Sequence, residues 1–310
     1  MDNFSQVVHE FSVLPCMDSW PEAQTLFQQA ASREPNHWLI PLRACEAVGG
    51  TQEQAIPAML AVACVHVGIL LVDDMLDADP RGDYHRMGMP AVSNLACAFQ
   101  AAALSAINGY SQDPTSRLAA LNSFNEMFLC TAFGQFLDAS AEAPADEPAY
   151  WRVIQTKSSP FFGAALQVGA LAGGGTLKTA GQLKRLGCIY GEMIQIHDDM
   201  HDSMETPANP DWVQGRSPLP ILFASLVNHP EQQRFRALSR SITEPAALQE
   251  AQEILIRCGA ISYCVDQLLR KHQEAKEILD GIALVDDAPI ASLLDEVIAP
   301  VHKLLEAVEQ

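Results

Sequence analysis

Positive charge is scarce in this chain: 19 lysines and arginines stand against 38 aspartates and glutamates in 310 residues, a formal net charge of −19. So acidic a protein is not expected to bind nucleic acid or an anionic membrane surface. An anionic substrate remains open, provided that divalent cations bridge it to the protein. Cys-x-x-Cys pairs are absent; the eight cysteines, at 16, 45, 64, 97, 130, 188, 258 and 264, are scattered, several of them in apolar helical stretches. That argues against a zinc site or a disulfide frame and suits reduced, buried thiols in a cytoplasmic protein. Met1-Asp2-Asn3-Phe4 has neither the basic start nor the apolar run of a signal peptide. Strand-like alternation, fixed-period repeats, low-complexity tracts and Ser/Gly linkers are missing too. What is left is an all-α chain, expected to fold as one helical domain over residues 1–310 with a central cavity.

Long apolar stretches are plentiful. Residues 55–72 reach the threshold length for a membrane span. This run contains Pro57 and His66, has no basic flank and leads straight into Asp73-Asp74, so we read it as a buried core helix and expect no integral span. The pattern predicts helices over 20–31, 38–48, 52–78, 91–109, 114–139, 147–173, 178–205, 218–228, 244–258, 261–280 and 287–308. Breaks are expected at Gly49-Gly50, Pro80-Arg81-Gly82, Asp113-Pro114, Gly173-Gly174-Gly175, residues 206–210 and His229-Pro230.

Two acidic clusters carry the chemistry: Asp73-Asp74-Met75-Leu76-Asp77, with Asp79 just beyond, and Asp198-Asp199-Met200-His201-Asp202. Residues four apart share a helix face, so Asp73 with Asp77, and Asp198 with Asp202, each aim two carboxylates the same way. Like charges at that spacing repel. One such motif is commonly a solvated helix end; two, each closing an apolar helix, point to hard cations held by oxygen ligands. Mg²⁺ is the expected ion and phosphate its co-ligand.

With these residues in place, the chain resembles the trans-isoprenyl diphosphate synthases and their class I terpene synthase relatives over roughly residues 38–285. Besides both acidic motifs, Ala44-Cys45-Glu46-Ala47-Val48-Gly49-Gly50 matches the family's first core helix. Gly134-Gln135-Phe136-Leu137-Asp138 matches its Gly-Gln-x-x-Asp element, Lys157-Ser158 its Lys-Thr pair, and Gln195 the Gln before the second motif. Arg216-Ser217-Pro218-Leu219-Pro220 takes the place of Lys-x-x-Leu-Pro. The resemblance implies an all-α isoprenoid synthase-type bundle, commonly a homodimer. It implies Asp73, Asp74, Asp77, Asp198, Asp199 and Asp202 as ligands of a three-ion Mg²⁺ cluster. Arg86, Lys157, Gln195 and Arg216 are implied to contact an allylic isoprenyl diphosphate, with Arg81 competing for the part of Arg86. Gly68 and Ile69 would form an open pocket floor favouring C20 or longer chains over C10, with C15 allowed.

Departures from the family matter as much. Its Gly-Gly-Lys-x-x-Arg-Pro segment, which binds isopentenyl diphosphate, reads here Ser32-Arg33-Glu34-Pro35-Asn36-His37-Trp38, with neither Lys nor Arg in register. The family's Arg-Arg-Gly-x-Pro becomes Arg86-Met87-Gly88-Met89-Pro90, and the basic C-terminal tail is missing. Only His66 survives from that co-substrate site. Each lost charge-assisted hydrogen bond costs about 1.5–3 kcal/mol. The leading expectation is therefore a class I terpene synthase that ionises an allylic diphosphate and cyclises it or eliminates a proton. Phe133, Phe136, Phe161, Phe162 and Trp212 are candidates for facing the cation, though core filling explains them equally well. The alternative is an elongating prenyltransferase whose co-substrate site is rebuilt from Arg33, His37, Arg43 and His66; a third reading is a non-catalytic partner subunit.

Overall fold

The computed structural model describes residues 2–108, 113–140 and 146–308, with side chains for all of these except residue 140 and residues 302–308. Residue 109, the expected end of one helix, and the last two residues of the chain lie outside the described residues. In chain order the α-helices are α1 (Asn3–Ser12), α2 (Pro21–Ala31), α3 (Ile40–Ala47), α4 (Gln52–Leu76), α5 (Tyr84–Met87), α6 (Met89–Asn108), α7 (Pro114–Ser140) and α8 (Glu147–Lys157). They continue as α9 (Ser159–Ala172), α10 (Leu177–Met204), α11 (Pro210–Gln214), α12 (Leu219–Leu226), α13 (Gln232–Leu238), α14 (Pro245–Arg257), α15 (Ala260–Asp280) and α16 (Ala288–Val308). No strand occurs among the described residues, as the missing alternation predicts.

One expected helix, over 147–173, is two. Continued through Ser158, it would drive the ring of Pro160 into the carbonyl of residue 156. The chain instead turns at Ser158, and α9 starts with Pro160 in its first turn, where a missing N–H costs nothing. The expected helix over 38–48 opens as a 3₁₀ turn, Asn36–Leu39, before α3. Helix α1 is an addition: Asp2 caps it by accepting the Ser5 N–H at 2.8 Å, and Val7 and Phe11, four apart, are its buried residues.

The contacts divide into two compact units. Unit 1 holds Met1–Cys130, Pro160–Cys188 and Ile278–Leu293. Its centre is α4, which opens on a capping box between Thr51 and Gln54 and is buried on nearly every face. Helix α4 is thus a core helix, as the apolar run ending in two aspartates implies. By length and composition α4 and α6 could each cross a membrane, but 72% of the α4 window is buried inside the protein. Beside it Phe11 stacks on Phe27 at 4.0 Å, and Phe27 on Trp38 at 5.2 Å. Where α9 crosses α3, Gly169 lies so close to Pro41 that a Cβ would overlap that backbone.

Unit 2 holds Thr131–Ser159, Ile189–Glu277 and Leu294–Gln310. Trp212, Phe235, Leu238, Leu248, Ile254 and Leu255 form its apolar core. The amphipathic α14 contributes Leu248, Ala251, Ile254 and Leu255, the three- and four-residue spacing of one buried helix face.

Candidate active site

In unit 1 the first acidic cluster occupies the C-terminal end of α4. Asp73 and Asp74 lie in its last turn and Asp77 is its C-cap, the Asp77 N–H donating to the Asp73 carbonyl at 2.8 Å. A helix C-terminus carries the negative end of the macrodipole, so carboxylates there repel the helix as well as one another. Burial, and then Asp79, Asp73 and Asp83, push the Asp74 carboxyl up to about 6 against the opposing pull of Arg81. Arg81 grips Asp79 through two bonds, 3.1 and 2.8 Å, and these hold the Asp79 carboxyl below the usual range.

A cavity of about 300 Å³ opens beside this cluster, with Asp74, Asp79 and Asp83 on its wall together with Arg33 and Arg81, over an apolar floor that includes Val67 and Leu71. Of the two arginines that the sequence offers for one role, Arg81 is the one placed beside the acidic cluster. Arg86 pairs with Asp83 at 2.6 Å and lines a different cavity, of about 470 Å³, with Met87, Trp20 and Glu22.

Two members of the alternative co-substrate set meet in unit 1. The rings of His37 and His66 lie 4.0 Å apart, and Trp38 Nε1 donates to His66 Nδ1 at 3.1 Å. Burial first, then His37 and Arg33, hold the His66 imidazole well below its ordinary range, and therefore neutral. Arg43 bonds Ser292 Oγ at 3.3 Å. Phe161 is buried against both imidazoles and Phe162. Gly68 is buried too, and a Cβ there would touch Ala96 and Phe99 of α6 at 3.5 Å; Ile69 is half-buried.

In unit 2 the geometry is tighter. Gly134 brings α7 so close to the end of α8 that a Cβ would overlap the backbone of Thr156 and Lys157. One turn on, on the same face, Asp138 accepts a bond from Lys157 Nζ at 2.6 Å. The same Asp138 oxygen lies 3.7 Å from Arg216, which also reaches Asp211 at 3.5 Å. The Gly-Gln-x-x-Asp element thus sets two cations around one carboxylate. Lys157 ends α8, where a cation also favours the helix dipole.

The second acidic cluster lies in the last two turns of α10. Asp198 is exposed and Asp202 half-buried. Burial, then Asp198, Asp211 and Glu205, push the Asp202 carboxyl up to about 6. His197 faces Asp198 at 3.6 Å, and that carboxylate raises its imidazole. Asp199 points elsewhere: it is 5% exposed, and both its oxygens are occupied, by Gln195 Nε2 at 2.8 Å, the Tyr150 hydroxyl at 2.7 Å and the Leu219 N–H at 2.7 Å. Gln195, expected at the substrate, spends its amide inside the protein, since its Oε1 accepts from Ser158 Oγ at 2.8 Å.

The aromatic candidates separate. Trp212 belongs to the core of unit 2, with Nε1 donating to the Ser203 carbonyl at 3.1 Å, the core-filling reading of the two that the sequence left open. Phe133 and Phe136 are exposed.

Among the described residues no three acidic, histidine or cysteine side chains already converge as a metal cage. The donor set still fits Mg²⁺. Its oxygens are carboxylates, and Mg²⁺ is commonly held by one or two of them, with water and phosphate completing the shell. Asp198 with Asp202, and Asp73 with Asp77, meet that requirement in chemistry and spacing.

Long apolar helices that end in aspartate-rich clusters are features of an isoprenoid synthase fold. The fold matches geranylgeranyl pyrophosphate synthetase of Pyrococcus horikoshii, with a TM-score of 0.81 at 20% identity over 95% of each chain. It also matches the corresponding enzyme of Geoglobus acetivorans, with a TM-score of 0.79 at 20% identity over 96% of each chain. In sequence the chain is 28% identical over 270 residues to a geranylgeranyl diphosphate synthase of Methanosarcina mazei, covering 81% of this chain and 79% of that one. It is 30% identical over 264 residues to a short chain isoprenyl diphosphate synthase of Methanothermobacter thermautotrophicus, covering 78% of each. The polyprenyl synthetase family model matches residues 37–255, and the chain belongs to that family.

Proposed function

We propose that the chain is a Mg²⁺-dependent trans-prenyltransferase, which extends an allylic isoprenyl diphosphate with isopentenyl diphosphate. This reverses the order expected from the sequence, where terpene synthesis came first and elongation second. The relatives above, named as prenyl diphosphate synthases, support elongation. The observation that carries the reading is the cavity in unit 1, where Arg33 and Arg81 present two guanidinium groups beside Asp74. Guanidinium is the preferred partner of phosphate oxygens, so Arg33 can replace part of the missing Lys and Arg of the co-substrate segment, while Arg81 takes the allylic part that the sequence offered to Arg86 or Arg81.

In the reaction the allylic carbon–oxygen bond breaks, and diphosphate leaves with the bonding electrons. The double bond of isopentenyl diphosphate then joins the allylic carbon, and the released diphosphate takes up the proton that is lost as the new double bond of the longer allylic diphosphate forms. Lys157 and Arg216 would bind the leaving diphosphate, exchanging their contact with Asp138 for phosphate oxygens. Asp73, Asp77, Asp198 and Asp202 would hold Mg²⁺, which neutralises charge developing on that leaving group. Apolar walls around the reacting carbons would keep water out.

Three observations favour the second reading, an allylic diphosphate ionised and cyclised without a co-substrate. His66 is held neutral, Arg43 bonds Ser292 and Met87 stands where the family has an arginine, so isopentenyl diphosphate meets fewer cations than in typical members. The deciding assay supplies labelled isopentenyl diphosphate with C10, C15 or C20 allylic diphosphate and Mg²⁺. Label in a longer prenyl diphosphate, abolished by chelator, is the expected result. Allylic consumption with no incorporation would transfer the assignment to a terpene synthase; no consumption of either substrate would leave only the partner-subunit reading.

A further inference from the structure

We infer that Asp199 is a positioning residue, which ties the two diphosphate-binding cations of unit 2 to the acidic helix end, and that it is not a metal ligand. The inference rests on the reading of Lys157 and Arg216 as diphosphate-binding groups. It deepens that reading by dividing the second acidic cluster into two working carboxylates and one anchor.

The geometry is a chain of four hydrogen bonds. Ser158, next to Lys157, donates to Gln195 Oε1 at 2.8 Å, and Gln195 Nε2 donates to Asp199 Oδ1 at 2.8 Å. The other Asp199 oxygen accepts from Tyr150 in α8 at 2.7 Å and from the first N–H of α12, that of Leu219, at 2.7 Å. Helix α8 carries Lys157, and the turn into α12 carries Arg216. One buried carboxylate on α10 therefore holds both carriers, while its neighbours Asp198 and Asp202 stay accessible on the same helix. A carboxylate ordinarily accepts about four bonds; Asp199 accepts three from within the protein and is 5% exposed, which leaves a cation at most one acceptor site and almost no open surface through which to reach it. Leu219 N–H is an orphan donor of a helix start, and Asp199 supplies the cap from a helix 20 residues earlier.

The test compares Asp199→Asn and Tyr150→Phe with the parent by three readouts: thermal unfolding by circular dichroism, Mg²⁺ binding by calorimetry, and affinity for inorganic diphosphate in saturating Mg²⁺. A positioning role predicts that Mg²⁺ binding stays within about twofold while diphosphate binding weakens about tenfold or more, the equivalent of one charge-assisted contact misplaced. Tyr150→Phe keeps the ring and removes one bond, so it carries the test if Asp199→Asn does not fold. A rise in the Mg²⁺ requirement of about tenfold in Asp199→Asn, with Tyr150→Phe unaffected, would make Asp199 a ligand and overturn the inference. So would a lowered unfolding temperature with unchanged diphosphate affinity, which is the signature of a purely structural bond. A parent protein that does not bind inorganic diphosphate at all would remove the functional reading itself; a parent that binds it, with variants that bind equally well, would remove only the positioning role.

Discussion

Asp138 receives Lys157 at 2.6 Å and lies 3.7 Å from Arg216, an anion between two cations. In Asp138→Asn the side chain keeps its shape and loses its charge. We expect the unfolding midpoint to fall by a few degrees, about 1–2 kcal/mol, since all three groups are only partly exposed. Inorganic diphosphate with Mg²⁺ should then raise the midpoint more in the variant than in the parent, because the added anion meets Lys157 and Arg216 without competition from the Asp138 charge, Asp211 remaining beside Arg216 in both proteins. Equal shifts measured by calorimetry would separate Asp138 from the binding site. His66 makes a second prediction at this scale. Its folded pKa lies well below the ordinary value because of burial, with His37 and Arg33 adding to the effect. Below about pH 6.5 the unfolded chain takes up a proton that the fold refuses, so stability is lost as pH falls, by up to about 1.4 kcal/mol per unit. Urea unfolding at pH 7.5 and pH 5 should show a smaller acid loss in His66→Gln than in the parent. The aspartate pairs were legible in the sequence because four-residue spacing is local. The anchor role of Asp199 was not, since Tyr150 is 49 residues away and no local pattern links them.

Among the elements, the long helices could be read directly because their apolar spacing runs for several turns. Helices α4, α6, α7, α10 and α15 lie within two residues of their expected bounds at nearly every end. Four helices, α1, α5, α11 and α13, were not expected; α5, α11 and α13, with 4, 5 and 7 residues, offer too few turns for a period to emerge. The seam between α4 and α6 supplies the next prediction. Gly68 was expected on the pocket floor, and in the fold a Cβ there meets Ala96 and Phe99 at ordinary contact distance. Gly68→Ala should therefore fold normally. Gly68→Phe has to push α6 aside, at a cost of about 1–3 kcal/mol. If this seam also borders the chain of the bound substrate, the phenylalanine will shorten the longest product, read by chromatography of the dephosphorylated alcohols. Unaltered product length in a folded Gly68→Phe protein would confine Gly68 to helix packing.

For the molecule as a whole, the open question raised by its surface is what covers α6 and α7. Helix α6 is apolar enough to cross a membrane, yet only 44% of its apolar window is buried. Along α7, Leu118, Leu129, Phe133 and Phe136 are exposed by 59%, 67%, 55% and 65%, and the spacings of eleven, four and three residues put them along one stripe of the helix. Asn122 and Asn125 interrupt the stripe between Leu118 and Leu129, but Leu129, Phe133 and Phe136 fall within two turns, and exposed apolar side chains grouped in this way mark an interaction site. Its helical spacing suits a second copy of the same helix, packed through a two-fold interface in which one patch meets itself. The proposal of a homodimer, which the family resemblance also implies, leads to the last prediction. Size-exclusion chromatography with light scattering should give a mass about twice the 33.7 kDa of the chain. Leu129→Asp places a charge in the middle of the stripe, where burial would leave it without a partner, and should shift the protein to monomer at micromolar concentration while its helical signal persists. A parent that is monomeric at all concentrations would refute the dimer and leave Phe133 and Phe136 to be explained by the reaction. A dimer that survives Leu129→Asp would instead place the contact on a face other than this stripe of α7.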